Sequence, residues 1–480
     1  MRRYLAGLAL TVLFAAPVLA QEPVDAAVVQ RIRAEGLDRS QVEETFRQLT
    51  TVIGPRLTAS PAHRRAIDWT QDTLRRYGLS NVHTEAWDFG RGWTLDRFSV
   101  EMLSPRYLPL IGYPKAWSPS TTGRIEGAPV WLPAATGDAL GRPAADLAGR
   151  IVMTGPVQTF LVDEDRAVAG GDFSPPAAAR GRLARAGQQA LAESLFKAGA
   201  AVTLEPNYGK LGTVFVTGRD AGDDVTPSVV LAAEHYNLVA RLLEAGEDVR
   251  LAVDVKATFN ADDPKAYNVI AEIPGTDPRI GDEIVMVGAH LDSWHSAAGA
   301  TDNADGVATV MEAFRILKAL GVQPRRTIRL ALWGGEEQGL LGSRAYVAAH
   351  LTGPDKQAER DKYSVYFNLD NGYPPISGFY LEGNEGVQRI MAAWLRPFAD
   401  LGATVSTTAH IGSTDHMSFL AVGIPGFQAV QDYQDYDTHT HHTNMDTPER
   451  VDPAALRQAS VVMASILYHA AMRDERLPRR

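Results

Sequence analysis

The chain has 480 residues, 45% of them hydrophobic and 22% charged, with no cysteine and a formal net charge of -10. That length exceeds one compact core and favours two domains, and an acidic balance with no basic stripe argues against nucleic acid as a partner. Without thiols, disulfides and thiolate chemistry are excluded, so any metal site must be built from His, Asp and Glu.

The first twenty residues, MRRYLAGLALTVLFAAPVLA, read as a secretory signal peptide. Arg2 and Arg3 precede an apolar run from Leu5 to Ala16, and the small residues Val18 and Ala20 mark a cleavage point after Ala20. The run is shorter than the roughly 20 residues of a membrane span. The mature protein is therefore expected to be exported, periplasmic or secreted, with no membrane contact after signal cleavage.

Residues 24–77 read as helical. VDAAVVQRIRAEGL and AHRRAIDWTQDTLRRYGL carry apolar residues at three- and four-residue spacing, each closed by a glycine. From 121 to 259 the pattern changes to short apolar runs, APVWLP, RIVMTG, GTVFVTG and PSVVLA, broken by Gly, Pro and Asp clusters. Helical segments at 188–197 and 235–244 interrupt them, which predicts a separate β-rich module.

At Ala266 the texture shifts again. AYNVIAEIPG, DEIVMVGAHLD, RTIRLALWGGEE, YSVYFNLDNG and GIPGFQAVQ read as strands, with helical patterns between them at 303–320 and 385–401. In the first of those helices Val307, Val310, Met311, Phe314 and Leu317 share one face, a core stripe. The expected fold class is α/β: an α/β/α catalytic domain with a mixed, largely parallel central sheet, plus an inserted β-rich module. The expected division is 1–20 signal peptide, 21–120 N-terminal part of the catalytic domain, 121–259 inserted module, and 260–480 catalytic domain.

In open α/β sheets, sites form beyond the carboxyl ends of the strands. Here DEIVMVGA ends in His290-Leu291-Asp292, RTIRLALW in Gly334-Gly335-Glu336-Glu337, and YSVYFNL in Asp370-Asn371-Gly372. GATDNADG supplies Asp302, and YDTHTHHTNMDTPE carries His439, His441 and His442. Taken singly, an H-x-D or a Glu pair is commonplace on a solvated surface. Five such segments on one edge of one sheet repel each other unless a divalent cation offsets their charge.

Imidazole and carboxylate without thiolate suit Zn²⁺, and there are more candidate ligands than the four one zinc takes. Two ions sharing a carboxylate are the economical reading, an arrangement suited to hydrolysis. Of the adjacent Glu336 and Glu337, one can bind metal while the other stays free as a general base. Asp292, two residues past His290, is placed to orient that histidine through its other ring nitrogen.

VGAHLDSW, GATDNADG, RTIRLALWGGEEQGLLGSRAY, NLDNG, GSTDHMSF and HHTNMDT together resemble the co-catalytic di-zinc aminopeptidase family, nearest to its carboxypeptidase Q branch. The resemblance is specific from Ala266 onward and looser over the rest, where the β-rich module is similar in position and texture to that branch's inserted protease-associated domain. It implies two Zn²⁺ per chain and a peptide or dipeptide substrate. His290 and Asp370 would bind one zinc, Asp302 would bridge, Glu337 would bind the other, and Glu336 would be the general base. The family's last ligand is a histidine followed by Ser or Thr, two variable residues and Asp-Thr. Only His442 fits that frame, with Asp446 and Thr447 bracing its loop.

His441 is expected to point away from the ligand position in extended geometry, His439 to be a solvated loop residue, and Thr414-Asp415-His416 carries no assigned role. The leading expectation is a zinc exopeptidase that removes N-terminal residues from peptides or dipeptides. A dipeptidase or carboxypeptidase with the same zinc chemistry is the alternative. A noncatalytic binding protein or a one-metal cyclase-type transferase fits the full ligand set less well, and homodimerisation is compatible with the sequence.

Overall fold

A computed structural model of the chain describes residues 22–134, 144–159, 161–169 and 190–480. The signal-peptide segment and the start of the 188–197 helix lie outside the described residues. Among the described residues, strands group into sheets of eight, four and five.

The eight-stranded sheet runs Ser80–Asp88, Lys265–Ile273, Thr327–Trp333, Ile284–His290, Tyr363–Asn368, Gly426–Asp432, Tyr373–Tyr380, Val405–Thr407. Its four middle strands, from Thr327–Trp333 to Gly426–Asp432, are mutually parallel, and antiparallel neighbours flank them. Side chains alternate across this sheet as period-two geometry requires. Val285, Val287 and Ala289 join one large core, while Ile284 and Met286 join another with Trp333, Tyr346, Tyr366 and Phe419. Helices cover both faces, so the α/β/α mixed-sheet expectation holds.

The helix Asp305–Ala319 departs from the one-face expectation. Its predicted stripe is buried, but so is every residue from Asp305 to Leu317, because Pro453–Met472, Ala26–Asp38 and Val42–Arg47 cover the other side. Glu312 and Arg315 on that second face are paired. Arg315 donates to Glu312 and to Glu35 at 2.8 Å each, and Glu312 accepts from Ser40 and from the Gln41 backbone. Gly36, read as a helix terminator, instead lies inside Ala26–Asp38. A Cβ there would come within 2.4 Å of Val461 and 2.7 Å of Ile316, so the residue permits close helix packing. Gly78, at φ +76°, does follow the end of Pro61–Arg76 as a C-terminal stop.

The two smaller sheets draw their strands from residues 92–260. One contains Leu108–Pro109, Gly92–Ser104, Arg250–Asn260 and Ile125–Gly127; the other contains Gly112–Pro114, Ser228–Leu231, Val202–Pro206, Ile151–Thr154 and Val130–Leu132. The expected strands within APVWLP, RIVMTG and PSVVLA are present. GTVFVTG is not a sheet strand: it forms only isolated bridges, one of them between Phe215 and Thr443. Val214 and Val216 are buried with Val230 and Ala232, while their backbones bond to the loop that carries His442 instead of pairing within a sheet. Among the described residues no helix is long and apolar enough to cross a membrane.

Candidate metal centre

Three parallel strands end at one edge, and each delivers an acceptor there. His290 is the last residue of its strand, Asp370 lies two residues beyond Asn368, and Glu336 and Glu337 follow Trp333. The turn between Trp333 and the glutamates needs glycine. Gly335 has φ +69°, and a Cβ on it would come within 2.6 Å of the Trp87 ring. The backbone N–H groups of Glu336 and Glu337 then point to the Asp292 carboxylate at 3.3 and 3.4 Å.

Asp302 lies on the irregular turn before the buried helix, and the Asp302–Asn303 peptide is cis. Asp446 accepts from the Thr301 and Asp302 backbone N–H groups at 2.7 and 3.2 Å and from the Thr301 hydroxyl at 2.9 Å. Asp446 thus ties the histidine loop it belongs to onto the Asp302 turn.

These residues converge. His290 Nε2 lies 3.1 Å from Asp302 Oδ1, 3.3 Å from Asp370 Oδ1 and 4.0 Å from Glu336 Oε2. His442 Nε2 lies 3.4 Å from Asp302 Oδ2 and 2.9 Å from Glu337 Oε2. Asp302 therefore faces both histidines, with Asp370 on one side and Glu337 on the other. All six residues expected at the site, His290, Asp302, Glu336, Glu337, Asp370 and His442, are brought together.

The approach is close without being hydrogen bonded. His290 Nε2, Asp302 Oδ2 and both Glu337 carboxylate oxygens are buried and make no hydrogen bond, although Glu337 and His442 are within ion-pair distance. Buried polar atoms are seldom left so, and cations on the two sides of Asp302 would satisfy them. Ligand atoms of His290, Asp302 and Asp370 lie within 4.8 Å of one another, a spacing one ion can span. The residues present therefore fit divalent metal.

Charge crowding has the consequence expected from the sequence. Burial pushes Glu336 well above the usual carboxylate range and Glu337 up to about 7, while burial and then Asp302 push Asp446 up to about 7. Burial disfavours the charged form of His442, yet Glu337 outweighs it and raises the imidazole to about 9. Burial opposes ionisation of Asp370 too, but His290 holds that carboxyl below its ordinary range.

Two expectations about histidines change. His290 Nδ1 meets the Asp292 backbone carbonyl at 3.0 Å, with the Asp292 carboxylate further off at 3.6 Å. The carboxylate is occupied by the Thr58 hydroxyl at 2.8 Å and by the glutamate turn. His441 does not point away: its ring centroid is 3.9 Å from that of His442, and its ring nitrogen falls within 4.8 Å of ligand atoms of Asp302 and His442. The extended geometry behind that expectation is absent, because Tyr436–Thr440 forms a π-helical turn and His442 has φ +61°. His439 is partly exposed and bonds its neighbour Thr438, in keeping with a loop residue.

Sequence reading missed the support beneath. Arg56 is fully buried, and its guanidinium donates to the carbonyls of Leu49, Gly54, Leu291, Ala298 and Gly299. Burial lowers its pKa to about 10, and the carboxylates Asp446, Asp292, Asp302 and Glu337 work against that shift. The Thr414 hydroxyl donates to Asp370 at 2.5 Å, and the buried Asp415 next to it is pushed up to about 7, first by burial. A lone arginine in IGPRLT carries no local signal of such a role, whereas Thr414-Asp415-His416 did stand out as a polar cluster.

Comparison with known proteins adds an independent line. Residues 268–467 match the model of peptidase family M28. The chain is 27% identical to carboxypeptidase Q of Mus musculus over 460 residues, 95% of this chain and 91% of that protein. Its fold superposes on a peptidase M28 precursor from Shewanella amazonensis SB2B with a TM-score of 0.71 and 25% identity, over 95% of this chain and 98% of that one. A zinc aminopeptidase from Bacillus subtilis shares the fold, with a TM-score of 0.58 and 21% identity over 95% and 97% of the two chains.

Proposed function

We propose that the chain is a peptidase of family M28, whose model matches residues 268–467, and that it is an exported exopeptidase using two zinc ions to release N-terminal residues from peptides or dipeptides. The observation that carries this reading is the position of Asp302 between two histidines, each with a further carboxylate of its own. His290, Asp302 and Asp370 would hold one zinc, and Asp302, Glu337 and His442 the other. Bound there, zinc supplies Lewis acidity, which makes water a nucleophile near neutral pH and polarises a peptide carbonyl.

The chain's own residues supply the rest. Glu336 is the general base: its carboxylate takes a proton from the attacking water and passes it to the leaving amine. It stands 4.0 Å from His290 Nε2, near enough to reach a water between them. Asp292 fixes the glutamate turn through two backbone N–H groups. The surrounding carboxylates favour a substrate's protonated amino terminus, and burial excludes bulk water from the proton path. The module built from 92–260 fits a protease-associated-like domain placed beside the site.

A second reading, a dipeptidase or carboxypeptidase with the same chemistry, draws support from the carboxypeptidase Q likeness along nearly the whole chain. A panel of free dipeptides against aminoacyl anilides separates the two, since anilides lack the terminal carboxylate. Glu336→Gln tests the assigned base. It is expected to keep both zinc equivalents and lose about 10²- to 10⁴-fold in kcat. Loss of zinc with normal turnover per bound metal would overturn the assignment.

A further inference from the structure

The loop that carries His442 holds strained backbone at two positions. Asp435 and His442 both sit at positive φ, +59° and +61°, where residues with a Cβ are disfavoured, and the turn between them is π-helical. The catalytic domain ties the loop to the Asp302 turn through Thr440 and Asp446 and to Arg450 through Asp435. The module adds anchors at two separate places.

The first is residues 161–169. The Asp165 carboxylate accepts from the backbone N–H groups of Asp435 and Thr438 at 2.8 and 2.9 Å and from the Thr438 hydroxyl at 3.0 Å. In return Asp437 accepts from the Arg166 backbone N–H at 2.8 Å and from its guanidinium at 2.5 to 3.0 Å. The two acids thus exchange donors across the junction. The pair is buried, with side chains 12% and 4% exposed, and the guanidinium lies over the Tyr433 ring at 4.7 Å.

The second is the GTVFVTG segment left over from the sheets. Val216 N–H donates to the carbonyl of His442 itself at 3.0 Å. Asn444 N–H donates to the Val214 carbonyl at 3.3 Å, and its side chain accepts from Val214 N–H at 2.7 Å and donates to Gly212 at 3.3 Å. A bond from Val162 N–H to the Tyr208 carbonyl, at 2.8 Å, joins the two anchors to each other.

We propose that Asp165, Arg166 and the 214–216 segment are positioning elements for the His442 imidazole, so that the module sets how tightly one of the two zinc ions is held. The inference rests on the two-zinc reading above. None of these groups touches the candidate ligand atoms, so their effect passes through the loop backbone. His290 and Asp370, seated on strand ends, have no such dependence.

Chelator competition on the full chain tests it, with Arg166→Gln and Asn444→Ala read beside wild type. Each variant is expected to weaken one zinc equivalent about tenfold and leave the other unchanged. Excess zinc should restore wild-type kcat, and Arg166→Lys should recover part of the affinity. Where Arg166→Gln fails to melt cooperatively, Asn444→Ala carries the same test, since it removes only hydrogen bonds. Wild-type affinity for both equivalents in a folded variant overturns the proposal, as does equal weakening of both. Wild type that binds fewer than two equivalents overturns instead the reading on which it rests.

Discussion

His290 and His442 reach the same carboxylate, Asp302, yet the chain supports them in different ways. His290 closes a strand whose seven residues are all buried, flanked on both sides by parallel neighbours. Its fixed ladder leaves the imidazole little freedom. His442 stands on a turn with two residues at positive φ, and its backbone is held by a module from a distant part of the sequence. The first half of the centre is placed by the fold of the sheet, the second also by contacts with residues 161–169 and 214–216. Stability and metal affinity should therefore respond to different substitutions in the two halves.

The largest effect expected within this contrast is from His442→Ala. It removes a candidate ligand outright and should cost one zinc equivalent and the hydrolytic activity with it, while the melting profile of the metal-free chain stays near wild type. Metal analysis and a thermal melt in chelator check both parts. A variant that retains two equivalents would break the comparison.

The opposite behaviour is expected behind the sheet. Arg315→Ala leaves Glu312 and Glu35 buried without their partner and should destabilise the chain by about 3 kcal/mol, measured by denaturant unfolding at neutral pH. Below the transition the variant should bind zinc as wild type does. The deficit also has a pH dependence. Burial works against the Glu35 carboxylate, but Arg315 and Arg39 hold its pKa below the ordinary value. A carboxylate depressed in this way stabilises the fold above its unfolded pKa, about 4.3, and that contribution disappears as pH falls through the lower folded value. The gap between variant and wild type should narrow below about pH 4. A deficit that grows in acid would contradict the pairing.

The smallest effect is predicted for His439→Ala. The side chain is partly exposed and bonds only its own loop, through Thr438 and near Asp435. Zinc content and stability should match wild type, within about 0.5 kcal/mol for the latter. A lost zinc here would mean that the wrong histidine of the three was chosen.

How far the sequence could be read follows the same division. Strand ends are legible because a period-two apolar run has to stop somewhere, and the residues where it stops are local in sequence: His290, Glu336, Glu337 and Asp370 all emerge this way. His442 is legible only through the family resemblance, whose last-ligand frame it fits, and the structure brings it to Asp302. Its neighbour His441 was misjudged because a π-helical turn leaves no periodic trace. Arg56, Asp165 and Arg166 were invisible for a further reason. Most of their partners lie hundreds of positions away, as with Arg166 and Asp437, 271 positions apart, and no single-sequence pattern reports such pairings. The GTVFVTG run shows the converse error, a correct apolar signal whose backbone pairs with a loop and not within a sheet.

The central claim is that two zinc ions share Asp302 in this chain. Its most direct test is a zinc titration into the chelator-stripped full chain, with dipeptide hydrolysis measured after each addition. The account predicts two equivalents per chain in wild type and one in His442→Ala. Saturation at a single equivalent with full hydrolytic activity would contradict it.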